Sequence, residues 1–329
     1  MRTIFTDTDS AEMAPCVATI GFFDGVHRGH RYLIKSVTDC AAASPELQST
    51  VITFDRHPRQ VLNMEFQPKL LSTLDEKLAL LSKTGADNCV VLHFDRDMAA
   101  MTAYDFMRDV LRGRLNVRKL IMGYDNRFGH SRTEGFDDYV GYGREIGIEV
   151  VRGNAFVLNG VNVSSSVIRT FLSGGEADMA AMCLGYPYFF SGKVKGGYRE
   201  GRKLGFPTAN IEVDDAQKLI PEHGVYAVKV RVEGCDGLLN GMMNIGTRPT
   251  FDGHETTLEV NIFDFEEDIY GRQVDVLFYH RLRDEQKFCS IKKLVDQLWL
   301  DREAAEKILE RALLLSAMRP FAHIFPVKT

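Results

Sequence analysis

Apolar positions in the first half of the chain fall into short runs separated by stretches with helical spacing. The runs are residues 17–20, 51–54, 89–94, 120–122 and 148–151. Between them, apolar residues recur three and four apart near 31–43, 75–84, 103–111 and 136–145. Short apolar runs alternating with amphipathic helices predict an α/β domain with a doubly wound parallel sheet, whose ligands bind beyond the carboxyl ends of the strands. Residues 165–173 and 176–184 predict two short helices around the break at Gly174 and Gly175. From Tyr186 the rhythm changes. Strand-like runs at 188–194, 224–232, 237–245, 257–262 and 273–279 are separated by Gly, Pro and Asp turns, with almost no helix signal. That pattern predicts a small antiparallel β-barrel. A final helix, about 290 to 318, carries Ile291, Leu294, Val295 and Leu298 on one stripe, and most simply packs across the barrel.

Length agrees with this division. At 329 residues the chain is long for one core, and the change of rhythm divides it into domains at 1–184 and 185–329. Forty basic against 45 acidic residues give a net charge of −5, which argues against a general nucleic-acid or membrane-surface binder. The six cysteines show no C-x-x-C pair and predict reduced, buried thiols rather than a disulfide framework or a zinc site. The N-terminal residues lack the apolar core of a secretory signal, and no apolar run reaches membrane-spanning length. A cytoplasmic location is expected, with no obligate protein partner implied.

The densest chemistry follows the first run. Gly21, Phe22, Phe23, Asp24, Gly25, Val26, His27, Arg28, Gly29 and His30 form a glycine-rich turn between a strand and a helix. Such a turn is an anion cradle, because backbone N–H groups and the positive helix end both face it. His27 and His30 at its mouth can donate N–H bonds to a phosphate without a full charge.

Three further clusters stand at run ends or a helix start. They are His57-Pro58; Gly123 to Gly129, with Asp125, Asn126 and Phe128; and Ser164, Ser165, Ser166 and Arg169. Each alone reads as an ordinary turn or N-cap. Together they lie along one edge of the expected sheet and favour a nucleoside triphosphate site, where hydroxyls, amides and Arg169 would hold phosphate oxygens. In the second half, a basic flap expected to be mobile, from Lys193 to Lys203 and bounded by Gly201 and Gly205, leads through Pro207 to Thr208 and Asn210. Flap cations suit phosphate, and a hydroxyl with an amide oxygen suits Mg²⁺.

These motifs resemble the prokaryotic bifunctional riboflavin kinase/FAD synthetase family. The first four sets resemble its nucleotidyltransferase half, and residues 201–210 resemble its riboflavin kinase motif almost letter for letter. Residues 244–250, 258–260, 264–271 and 283–288 continue the likeness. Ser166 stands where the family prefers threonine, Asn126 where an aromatic is frequent, and Lys195 and Asn261 where histidine is common.

The resemblance implies that riboflavin is phosphorylated by ATP to FMN, and that FMN is adenylated to FAD with release of pyrophosphate. It further implies Glu259 as general base of the kinase, Thr208 and Asn210 as Mg²⁺ ligands, and Lys193, Gly201, Lys203, Gly205 and Pro207 around the kinase phosphates. Arg283, Lys287 and Phe288 would meet flavin there. In the transferase, His27 and His30 would act on the triphosphate. Gly21, Phe22, Asp24, Gly25, Gly29, Asp125, Ser164, Ser165, Ser166 and Arg169 would bind ATP, and His57 and Phe128 would line the flavin region. The cradle alone also suits a nucleotidyltransferase for another phosphate ester; residues 207–210 point separately to flavin. A flavin-sensing or carrier protein built on this framework is the reading from outside enzymes.

Overall fold

The computed structural model describes residues 1–6, 13–62, 68–124, 126–129, 134–196, 201, 204–250 and 253–317, with backbone alone at 248–250, 253–255 and 313–317. The chain divides into two compact units that part between Ser164 and Ser165.

The first unit runs β1 (Arg2–Phe5), β2 (Cys16–Ile20), α1 (Arg28–Ala42), β3 (Gln48–Phe54), α2 (Pro58–Val61), α3 (Leu74–Leu81), β4 (Asn88–Leu92), α4 (Arg96–Ala100), α5 (Ala103–Asp105), β5 (Val117–Met122), α6 (Phe136–Ile146) and β6 (Glu149–Arg152). A small hairpin, β7 (Val157–Leu158) and β8 (Val161–Asn162), follows. The six main strands form one parallel sheet in the order β1-β4-β3-β2-β5-β6. Strands β2 and β4 are buried along their whole length, which explains their unbroken apolar runs. Successive strands step from β2 to β3 and β4 on one side, then cross to β5 and β6 on the other. The order therefore reverses beside β2, where open α/β sheets bind ligands.

Two elements differ from the sequence expectation. β1 pairs with β4 at the sheet edge, but its residues Arg2, Thr3, Ile4 and Phe5 bury Ile4 fully and leave Arg2 and Thr3 exposed, so no apolar run marks it. The helix expected at 103–111 continues from α5 into a π-helical stretch, Phe106–Arg114, that closes with Leu115 N–H donating to the Val110 carbonyl at 2.9 Å.

The second unit opens with α7 (Ser165–Ser173) and α8 (Ala177–Leu184). Six antiparallel strands follow: β9 (Tyr188–Lys195), β10 (Ala209–Val213), β11 (Gly224–Val232), β12 (Leu239–Thr250), β13 (Gly253–Ile262) and β14 (Gln273–Arg283). They close into a barrel in the order β10-β13-β12-β11-β14-β9, with β9 pairing back onto β10. Tyr188, Phe190, Tyr226 and Phe278 are buried and pack ring on ring. β10 was legible only as the start of a strand after Pro207.

The closing helix, α9 (Ile291–Ala317), covers Phe206, Ala227, Met242 and Phe263 with Val295, Leu298, Ala305, Ile308 and Leu309. Ile291, expected on that stripe, is 70% exposed; the covered part of the stripe begins at Val295. Asp301 on α9 is buried and receives the Arg283 guanidinium at 2.7–3.0 Å, with Gln297 donating at 2.8 Å. This pair ties the end of β14 to the helix.

All six cysteines are free. Cys16, Cys89 and Cys183 are buried, and burial pushes the Cys16 thiol up to about 11 and the Cys89 thiol up to about 12. Cys40 and Cys235 are half-buried and Cys289 is exposed, departing from the expectation of buried thiols. Among the described residues no helix is long and apolar enough to cross a membrane.

Candidate active sites

The turn after β2 is strained and tightly anchored. Phe23 and Val26, neither of them glycine, take φ of 53° and 36°, and Gly25 takes 75°. A β-branched residue at positive φ costs free energy and persists only where surrounding bonds enforce it. Asp24 supplies those bonds: its buried carboxylate accepts the amides of Leu71 at 3.0 Å and Ser72 at 2.9 Å. Ser72 Oγ in turn accepts the Gly25 amide at 2.9 Å, and the Gly21 amide donates to Ile52 at 3.1 Å. Asp24, Gly21 and Gly25 thus have visible work in shaping the turn.

His27 caps α1. Its Nδ1 accepts the His30 amide at 3.2 Å, which leaves Nε2 as its N–H donor. The His27 and His30 rings stack with centroids 3.5 Å apart. A Cβ on Gly29 would meet the His27 ring and the Val163 carbonyl at 3.2 Å, so glycine lets the ring lie down on the helix start. The first-turn amides of Arg28 and Gly29 have no carbonyl one turn back to bond. His30 Nδ1 is buried and makes no hydrogen bond. Burial first, then the charges of His27, Lys77 and Arg31, hold the His30 imidazole well below 6.5. At neutral pH it is an uncharged ring with hydrogen-bonding capacity unspent.

The neighbouring strand ends, β3, β2 and β5, bring other expected residues to this edge. His57 caps α2, its Nδ1 accepting the Arg59 amide at 3.2 Å, and packs edge-on against Phe22 at 4.8 Å. Asn126 Nδ2 donates to the Ile20 carbonyl at 2.5 Å, tying the loop after β5 to the end of β2. That is a structural bond where the family often has an aromatic ring. Phe128 packs on Tyr139 and Phe106 at 4.5 and 5.5 Å, and its backbone exchanges two hydrogen bonds with the Tyr139 hydroxyl. Asp125 lies outside the described residues. Ser164 ends the first unit, while Ser165, Ser166 and Arg169 open α7 in the second.

Sequence reasoning passed over Lys77. It is buried on α3 and donates to the Phe54 and Phe22 carbonyls at 2.8 and 3.2 Å. A lysine three and four positions before the buried Leu80 and Leu81 was the available signal.

In the barrel, register places Asn210 of β10 opposite Glu259 of β13, and Glu259 opposite Asn244 of β12. Residues directly opposite share a face, so two amides flank the carboxylate. Thr208 Oγ1 lies 3.5 Å from Glu259 Oε2. Asn261 Nδ2 donates to the Pro207 carbonyl at 2.7 Å and holds the proline turn. The Gly201 carbonyl accepts the amides of Leu204 and Phe206 at 3.0 and 2.9 Å, and a Cβ there would lie 2.3 Å from the Phe206 carbonyl. Only glycine fits that wrap. A cavity of about 170 Å³ opens beside Pro207, Thr208, Val260, Phe265 and Tyr270.

Lys193 is exposed on β9, and Lys195 pairs with Glu212. Gly205 is exposed, and Lys203 and residues 197–200 lie outside the described residues. Arg283 is engaged by Asp301 and also faces the Phe288 ring at 5.7 Å, while Lys287 is exposed. No group of three or more His, Cys, Asp or Glu that could hold a metal ion occurs among the described residues.

A strained glycine turn at the switch point of a parallel sheet is followed by a closed barrel with a carboxylate between two amides, the combination expected of a transferase that handles nucleotides. Comparison with known proteins narrows the class. Residues 9–167 match the FAD synthetase family and residues 184–309 the riboflavin kinase family. The bifunctional riboflavin kinase/FMN adenylyltransferase of Escherichia coli K12 is 38% identical over 292 residues, 89% of this chain and 92% of that protein. Its Bacillus subtilis counterpart is 35% identical over 302 residues, with 89% and 92% covered. A solved structure described as a macrolide-efflux protein from Streptococcus pneumoniae superposes with a TM-score of 0.84 at 31% identity, covering 93% of this chain and 99% of that one. The chain belongs to the bifunctional riboflavin kinase/FMN adenylyltransferase family. It makes FMN from riboflavin and FAD from FMN, using ATP in both steps.

Proposed function

We propose that the cradle of the first unit carries adenylylation and that the Thr208–Asn210–Glu259 face of the barrel carries phosphorylation. The observation that carries the first assignment is the stacked His27–His30 pair, with His30 Nδ1 buried and unbonded. The FMN phosphate is already an anion, so no side-chain nucleophile is needed for its attack on the α-phosphorus of ATP. The protein's part is to position the groups and to stabilise charge on the phosphoryl oxygens. His27 Nε2–H, the first-turn amides and the His30 ring would donate to the triphosphate. Ser164, Ser165, Ser166 and Arg169 are assigned to its outer phosphates by resemblance, and Asp125, His57 and Phe128 to the adenine and flavin region. Gly21, Phe22, Asp24, Gly25 and Gly29 would set the cradle's shape. The division of labour we propose follows residues 1–184 and 185–329.

In the barrel, the riboflavin 5′-hydroxyl would attack the γ-phosphorus while Glu259 takes its proton. Thr208 and Asn210 offer a hydroxyl and an amide oxygen, hard donors of the kind that Mg²⁺ requires. Bound there by Thr208 and Asn210, Mg²⁺ would supply positive charge to the ATP phosphates. Lys193, Gly201, Lys203, Gly205 and Pro207 are assigned by resemblance to those phosphates, the lysines adding positive charge. Lys287 and Phe288 would meet the flavin, with Arg283 holding their segment to α9.

The His27→Asn variant separates chemistry from folding. Asparagine is a good N-cap, so the start of α1 should persist, and the loss of the buried ring should cost about 1–3 kcal/mol without unfolding the chain. Without the imidazole, FAD formation from FMN and ATP should fall about 10- to 100-fold. Full FAD synthesis by a normally folded His27→Asn chain would reduce His27 to a cap.

A further inference from the structure

Lys77 has no part in the chemistry above, yet its placement is hard to explain by folding alone. It is 2% exposed, on a helix whose capping box of Thr73 and Glu76 already fixes its start. Its Nζ donates to the carbonyl that ends β3 and to the Phe22 carbonyl in the cradle turn. The same ammonium stands 4.1 Å from the centre of the Phe22 ring, and that ring packs edge-on against His57. One cation therefore joins the cradle turn, the end of β3 and the ring beside His57. The Phe22 carbonyl also accepts Thr53 Oγ1 at 3.1 Å, so it has a donor without the lysine.

The charged and titratable groups that face the ammonium are Asp24 in the turn, Asp55 at the end of β3, Cys89 on β4 and His30 on α1. Both acids are engaged elsewhere. Asp24 holds the Leu71 and Ser72 amides; Asp55 accepts the Phe94 amide at 2.9 Å and lies 2.6 Å from His93 Nδ1. Among the described residues no carboxylate forms an ion pair with Lys77. Burial outweighs the nearby acids and pushes the ammonium down to about 8. A buried charge of this kind costs the fold stability. The cost is fully present below about 8, where folded and unfolded chains both carry the proton, and it fades as pH rises towards 10.5. An apolar side chain of similar length would avoid it.

We propose that Lys77 is a positioning residue of adenylylation: its buried ammonium fixes the Phe22 carbonyl and ring, and gives the floor of the cradle the positive charge that a bound triphosphate answers. The inference rests on the cradle being the adenylylation site, and His30→Ala tests that reading separately.

The experiment measures kcat/KM for FMN adenylylation against pH in the full chain, with Lys77→Arg and Lys77→Met alongside. In the native chain, kcat/KM should fall above about pH 8 as the charge is lost and level off near the value of Lys77→Met. Lys77→Arg stays charged throughout and should lose that alkaline limb up to about pH 10. Lys77→Met should be lowered about ten-fold or more near neutrality with a flat profile. Riboflavin phosphorylation by the same preparations should keep one profile in all three chains. Three results would each overturn the proposal: no alkaline limb in the native chain, the same limb in Lys77→Arg, or native kcat/KM in Lys77→Met. Should Lys77→Met fail to fold, the native and Lys77→Arg profiles decide. If His30→Ala keeps full FAD synthesis, the cradle reading itself has failed. If His30→Ala loses it while both Lys77 variants match the native chain, only the role of Lys77 falls.

Discussion

Alanine at position 30 is expected to lower FAD formation from FMN and ATP by at least about 100-fold, while riboflavin phosphorylation by the same chain continues. The expectation follows from the state of the ring. His30 is held neutral by burial and by the neighbouring His27, Lys77 and Arg31. It is pinned between the stacked His27 ring at 3.5 Å and the edge of Phe23 at 5.1 Å. A neutral imidazole so confined would arrive at the reaction already oriented, and the proposed bond to a phosphoryl oxygen would cost little reorganisation. Alanine keeps the His30 amide that caps onto His27 and is a strong helix former, so α1 should persist. Chromatography of products from separate FMN and riboflavin incubations reads both activities. Normal FAD synthesis by His30→Ala would remove the residue from the site.

Glu259→Gln should lower riboflavin phosphorylation by about 100-fold or more while adenylylation of supplied FMN is unchanged. Glutamine preserves the length of the side chain and its place opposite Asn210 and Asn244. It can still accept from the Thr208 hydroxyl, which lies 3.5 Å from the native carboxylate. What it cannot do is take up a proton at neutral pH. Loss in the glutamine variant therefore reports proton transfer rather than packing, and initial-rate measurement of FMN formation checks it. Retained kinase turnover would mean that the hydroxyl proton leaves by another route.

The sheet and barrel were legible because their central strands are buried on both faces and their connections carry strong turn residues. The cradle was legible for a related reason: glycines and histidines crowd into a strand-to-helix turn, where few structural demands call for them together. Edge and pairing information was not legible. β1 has too little apolar content to announce itself, because only Ile4 is fully buried. The opposition of Asn210 and Glu259 depends on the register between β10 and β13, and register joins residues far apart in sequence. Asn126 looked like a lost stacking residue until its bond to the Ile20 carbonyl gave it a structural task. Lys77 hid because a lysine on a short helix reads as a solvated charge, and only its two carbonyl acceptors show otherwise.

One chain is proposed to carry two separate chemistries, adenylylation within residues 1–184 and phosphorylation within residues 185–329. The most direct measurement gives riboflavin, ATP and Mg²⁺ to His30→Ala, to Glu259→Gln and to their mixture, and separates the products. The first variant should give FMN without FAD, the second neither product, and the mixture FAD, as FMN made by one chain is adenylated by the other. FAD formed from riboflavin by either variant alone would contradict that division.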